Sequence, residues 1–158
     1  MSNRIVSLLA WARDPGTAHP AAGVLRVAAG LVFLGFGPGK FRHHAAEASA
    51  FERYGIPFPD LATYAVGALE IAGGAALVIG LLLRPVALVL ASNLVVALAT
   101  AGRIDGGAVN LGLAPALIAA LVALALWGGG PHSLDRRLAR PRSGRRLRTA
   151  PRRRSSPS

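Results

Sequence analysis

The run LATYAVGALEIAGGAALVIGLLL, residues 61–83, places a single charged side chain, Glu70, among alanine, leucine, valine and glycine. A helix rises about 1.5 Å per residue, so roughly 20 apolar residues cross a hydrocarbon core about 30 Å thick. This stretch is long enough, and it has no polar face broad enough to meet water. It predicts a helix solvated by lipid, not one wall of a water-soluble bundle.

Working outward, Ala21 to Gly39, Pro85 to Gly102 and Ala108 to Trp127 have the same character. The composition agrees, with 53% hydrophobic and 16% charged residues, a balance unusual for a soluble domain. The expected fold class is all-α, a transmembrane four-helix bundle with spans of about 21–39, 61–83, 85–102 and 108–127 inside a membrane domain of 21–130. Residues 1–20 read as an interfacial segment, with Ile5, Leu8, Leu9 and Ala12 on one side and Arg4 and Arg13 nearer the other. Their apolar run is short for a signal peptide, and no small-x-small site follows Arg13-Asp14-Pro15, so this segment is expected to stay on the chain.

Charge sets the expected orientation. Ten of the 18 basic residues are arginines between Arg136 and Arg154, and the chain from His132 onward carries +9 of the formal +11. Cationic flanks are retained in the cytoplasm, which places the N- and C-termini and a tight link at Arg84-Pro85 on the cytoplasmic side of the plasma membrane. Residues 131–158, rich in Arg, Pro and Ser, read as a disordered tail lying on anionic headgroups. Its bland role is to set topology; its alternative role is to dock an acidic soluble partner. Nucleic acid is not an expected partner, because the charge is gathered in this tail and not spread over a folded, aromatic-bearing surface.

The chemistry available is narrow. The chain has no cysteine, which excludes thiol exchange, iron–sulfur ligation and c-type haem attachment by its own residues. GFGPGKF, residues 35–41, has the flavour of a phosphate loop, but Leu34 replaces its first glycine, Phe41 replaces its hydroxyl residue, and no strand precedes it. It reads as a helix end broken at Pro38. His43 and His44 are adjacent in a loop, so no metal site is expected, and no span holds a histidine for b-type haem.

Charges within a span each need a reason, since one near the bilayer centre costs about 2.5–3.5 kcal/mol on insertion scales. Arg26, Gly30, Phe33, Gly37 and Lys40 follow one another at steps of four and three, forming one stripe of the first span. Glu70, Gly73 or Gly74, Leu77, Leu81 and Arg84 form another on the second. With the two spans antiparallel, Glu70 falls at a depth between Arg26 and Lys40, about 10 Å along the axis from either. Pairing with Arg26 is expected, or with Lys40 if the second helix is shifted. Such a pair either lines a polar pocket, for a small polar or quinone-like group or a relayed proton, or it merely locks two helices together. Asn93 and Asn110 could extend the polar cluster. Ala72, Ala76 and Gly80, and Gly112, Ala116 and Ala120, are expected to seat helix on helix.

RVAAGLVFLGFGPGKF, residues 26–41, followed by EIAGGAALVIGLLLR, residues 70–84, resembles the DoxX family of small four-helix membrane proteins. The resemblance rests on Arg26, Gly30, Phe33, Gly37 and Lys40, then Glu70, Gly74, Leu77, Gly80 and Arg84, with GIPFP at residues 55–59 before the second span. It implies a component linked to redox processes, some relatives being associated with quinone-reducing oxidoreductases and others with complexes that counter oxidative stress. The expectation is an accessory or anchoring subunit with no catalytic activity of its own, a soluble or membrane redox partner, and no cofactor beyond a quinone. A homo-oligomer is compatible with it. The alternative is a small-molecule or proton carrier that uses Glu70. Arg26, Lys40, Glu70 and Asn93 are the candidate binding residues, and no catalytic residue is assigned.

Overall fold

Proline in a first helical turn and glycine just past a last one punctuate this chain. The computed structural model describes residues 11, 20–130 and 132–139. Among them the secondary structure is entirely helical. The helices are α1 Pro20–Arg42, α2 His44–Arg53, α3 Pro59–Ile79, α4 Leu83–Ala99, α5 Ala101–Ile104, α6 Ala114–Trp127 and α7 Leu134–Ala139, with a π-helical turn at Val109–Leu113. Four segments are long and apolar enough to cross a membrane: Pro20–Arg42, Pro59–Ile79, Leu83–Ile104 and Val109–Trp127. Val24, Leu31, Leu61 and Leu126 stay exposed, as side chains solvated by lipid would be.

Several boundaries differ from the sequence reading. The second span ends at Ile79, not at residue 83, because Gly80 takes φ 77° and closes a Schellman turn: Leu81 N–H donates to Ala76 O and Gly80 N–H to Leu77 O. The link between the second and third spans is therefore Gly80–Leu82. Arg84 and Pro85 lie within the first turn of α4, where a proline's missing N–H has no intrahelical partner to lose. Pro38 does not break the first helix, which continues to Arg42. Thr100 does interrupt the third span, with φ −107° and ψ −83°, and its hydroxyl donates to Val96 O at 2.8 Å.

α1 and α3 approach most closely at glycines. A Cβ on Gly30 would lie 2.8 Å from Gly74 O, and one on Gly74 would lie 2.8 Å from Gly30 O. Gly37 meets Ile71 and Glu70 in the same way, and Gly67 meets Lys40 and Phe41. The small-residue repeats singled out from sequence do less: Ala72, Gly112 and Ala116 are exposed. The bundle core, with Phe33, Leu77, Leu83, Ala87, Leu90, Leu121 and Leu124, fills the half towards the Gly80 turn. The half towards α2 is hollow.

Helix continues beyond residue 130, where the sequence reading ended the membrane domain. Asp135 is buried, its backbone N–H donates to Gly80 O, and its carboxylate accepts from the N–H groups of Leu82 (2.9 Å) and Leu83 (3.0 Å). It thus caps α4 from 52 residues away in sequence. Asp135→Ala is expected to cost about 1–2 kcal/mol through the lost cap, measured as a fall in thermal stability in detergent. An unchanged melting temperature would show that the cap contributes nothing. The expected interfacial helix at 1–20 and the tail from residue 140 lie outside the described residues, apart from Trp11 and Pro20. The Trp11 ring lies 5.6 Å from the Arg84 guanidinium carbon.

Candidate functional site

The glycine contacts fix the register of α1 on α3. Gly30 faces Gly74, Gly37 faces Glu70, and Gly67 faces Lys40. Glu70 is therefore level with Gly37, three residues (about 4.5 Å of rise) from Lys40 and eleven (about 16 Å) from Arg26. The structure accordingly pairs Glu70 with Lys40, at 3.4 Å between Oε2 and Nζ, and not with Arg26. Lys40 also lies 3.9 Å from Glu47 of α2. Both members of the main pair are withdrawn from solvent, with side-chain exposures of 15% for Lys40 and 8% for Glu70. Asn93 of α4 stands within side-chain hydrogen-bonding reach of Glu70.

This pair separates two hollows. On one side is a chamber of about 310 Å³ beneath α2, bordered by Glu47, Tyr54, Asn93, Thr100 and Asn110 as well as the pair. On the other is a slot of about 160 Å³ walled by Phe33, Phe36, Leu94, Leu113 and Leu117. Lys40, Glu70, Ala97 and Asn110 border both. The chamber sits at the lower end of the range of roughly 300–1,000 Å³ usual for small-molecule sites. The chamber sets its polar groups beside Phe51, Ile56, Val66 and Val96, and the slot is more apolar still, which suits a ligand with a polar head and an apolar body.

The α2 cover is held at several points. Tyr54 donates a short hydrogen bond to the Asp105 carboxylate, and Arg53 lies 4.0 Å from the same group. His44 stacks on Tyr64 with ring centroids 4.1 Å apart, and its ring nitrogens face Asp60. His44 thus fastens α2 to α3, and among the described residues no group of His, Cys, Asp and Glu is arranged to hold a metal. Burial and then the bond to Asp105 push the Tyr54 phenol above its ordinary value. The unfolded chain therefore ionises first. The latch is complete below about pH 10 and is lost as the pH climbs through the raised folded value. Ultraviolet titration should show one tyrosine ionising above about pH 10 that is missing from Tyr54→Phe. A Tyr54 that titrates as a free phenol would contradict the latch.

Arg26 occupies a different place. It is 4% exposed, and its Nη1 lies over Gly80, where a Cβ would stand only 1.9 Å away. Asp135 is the acid whose charge acts on it, while Nε and Nη1 have no hydrogen-bond partner among the described residues. Gly30, Phe33, Gly37, Gly74 and Gly80 are all buried, and Arg84 is half-buried. The candidate residues thus fall into two clusters: Lys40, Glu70, Asn93 and Asn110 at the chamber, Arg26 and Gly80 at the other end. Sequence reasoning misses Glu47, Tyr54, Asp105, Gly67 and Asp135. Only Gly67 carried a signal, lying one helical turn before Glu70 and seven residues before Gly74.

Neither a curated protein nor a solved structure gave a match to the chain. The DoxX family model matches residues 21–103, more than half of the chain, from the second residue of α1 to the last but one of α5. With its four helices of spanning length, the chain belongs to the DoxX family as a multi-pass integral membrane protein.

Proposed function

We propose that this chain is an accessory or anchoring subunit of a plasma-membrane redox system, and that the hollow around Lys40 and Glu70 holds a small molecule of quinone size. The observation that carries the reading is the withdrawn Lys40–Glu70 pair bordering both a chamber of mixed polar and apolar lining and a more apolar slot. A pair that only locked two helices would be expected to be packed on both sides. Here Glu70 Oε2 is buried, and its contact is the Lys40 ammonium at 3.4 Å. No residue is given a catalytic role. The subunit contributes a site and a membrane anchor, and a soluble or membrane-bound partner supplies the electron chemistry. Arginines from Arg136 onward, on the cytoplasmic face, would rest on anionic headgroups.

The test is purification of wild type and Glu70→Gln in mild detergent, with copurifying proteins identified by mass spectrometry and small molecules extracted and identified. The expected result is that wild type carries a redox partner and an extractable small molecule, and that the folded variant loses the small molecule. A folded variant with unchanged content, or a wild type with neither, would overturn the reading. A second reading, a carrier that moves a proton or small molecule through Glu70, is favoured by the chamber's position at the helix ends beneath α2. It requires that Glu70→Gln abolish flux in proteoliposomes.

A further inference from the structure

The polar lining of the chamber is spent on one side of its hydrogen-bonding capacity. Tyr54 gives its hydroxyl proton to Asp105, Thr100 gives its own to Val96 O at 2.8 Å, and Asn110 donates an amide hydrogen to Gly106 O at 2.8 Å. Lys40 is drawn between two carboxylates, Glu70 at 3.4 Å and Glu47 at 3.9 Å. Asn93 and Lys40, the other donors of the lining, are turned to Glu70, so what remains for a guest is mainly acceptor capacity: the Tyr54 and Thr100 oxygens, the Asn110 carbonyl, Glu47, and Glu70 Oε2, whose contact is the Lys40 ammonium at 3.4 Å. A buried carboxylate oxygen whose nearest cation stands at 3.4 Å keeps acceptor capacity, and a ligand that brings a donor to it is stabilised there.

Charge points the same way. Among the described residues the charged groups bordering the chamber are Lys40, Glu47 and Glu70. With Glu70 ionised their sum is negative, and with Glu70 protonated it is zero. In neither state is it positive, and an anion entering a partly desolvated space meets no net attraction.

Resting on the small-molecule reading above, we infer that the occupant is an amphiphile whose head donates hydrogen bonds and carries no negative charge, such as an amine or a phenol-like hydroxyl, with a short apolar body in the slot beyond Glu70. Anionic heads are excluded. Of a quinone couple, the reduced form, which bears hydroxyl donors, fits this lining better than the oxidised form, which offers two carbonyl acceptors.

The absence of cysteine from the chain allows a direct test. Ala97, which borders both hollows, is replaced by cysteine, with Ala101→Cys as a second site on the chamber wall and exposed Ala45→Cys as the reference. Each variant in lipid nanodiscs is treated with cationic and anionic methanethiosulfonate reagents of similar size, and the rates are normalised to Ala45→Cys. The inference expects the cationic reagent to be favoured by about tenfold or more inside the chamber, and Glu47→Gln to shrink that ratio. It also expects 4-butylphenol, a donor, to slow modification several-fold more than 4-butylanisole, which carries a methyl in place of the hydroxyl proton and can only accept. Equal or anion-favoured rates, or equal protection by the two probes, overturn the donor-head inference and leave the pocket standing. If neither reagent reaches either cysteine, the chamber is closed, and the small-molecule reading fails with it.

Discussion

Lys40→Met is expected to lower stability by about 3–5 kcal/mol, because it leaves the Glu70 carboxylate buried without its cation. The side chain lost is long, but methionine fills most of its volume, so the penalty is chiefly electrostatic. Lys40→Met together with Glu70→Met should recover most of the loss, since a buried ion pair and an apolar pair of similar volume are often near equal in stability. Glu47, at 3.9 Å from Lys40 and 37% exposed, is better solvated, and its removal should cost less than about 1 kcal/mol. Thermal denaturation in a single detergent gives all three values. If Lys40→Met is no worse than Glu47→Gln, the pair is not the buried one described.

Gly74→Leu should be at least as damaging. Even the first carbon of a side chain at Gly74 would lie 2.8 Å from Gly30 O and 3.1 Å from Leu34 N, which are backbone atoms that cannot rotate away. Overpacking commonly costs about 1–3 kcal/mol, and here the whole α1–α3 crossing would have to part. Gly74→Leu should therefore reach or pass the top of that range and lower the yield of folded protein. Gly112→Leu, with open space around its Cβ position, should be nearly neutral. Comparable loss from the two would mean that these helices do not meet at Gly30 and Gly74.

The spans were legible because lipid solvation demands long apolar runs, and residues 61–83 satisfy that demand without ambiguity. Their ends were less so. Leu81, Leu82 and Leu83 extend the apolar run past the helix, and only the backbone conformation at Gly80 shows that the chain has already turned. The partner of Glu70 was ambiguous for a related reason. Periodicity placed Arg26, Lys40 and Glu70 on facing stripes, but axial register depends on which glycines meet, and glycine is frequent on both helices. Gly30 opposite Gly74 resolves it in favour of Lys40. Asp135 was hidden by its surroundings, lying at the start of what reads as a basic tail, and nothing local announces that its carboxylate binds the backbone at Leu82 and Leu83. Tyr54 and Asp105 meet across 51 residues of sequence, a contact that depends on the end-on geometry of the bundle.

Charge exchange tests the central claim most directly, namely that Lys40 and Glu70 form the pair that divides the hollow half of the bundle. Lys40→Glu and Glu70→Lys are made singly and together, beside Arg26→Glu and Glu70→Arg, and the melting temperature of each is measured in one detergent. The account predicts that the Lys40/Glu70 exchange restores much of what either single reversal loses, and that the Arg26/Glu70 exchange restores nothing. Restoration by the Arg26 exchange, without restoration by the Lys40 exchange, would contradict it.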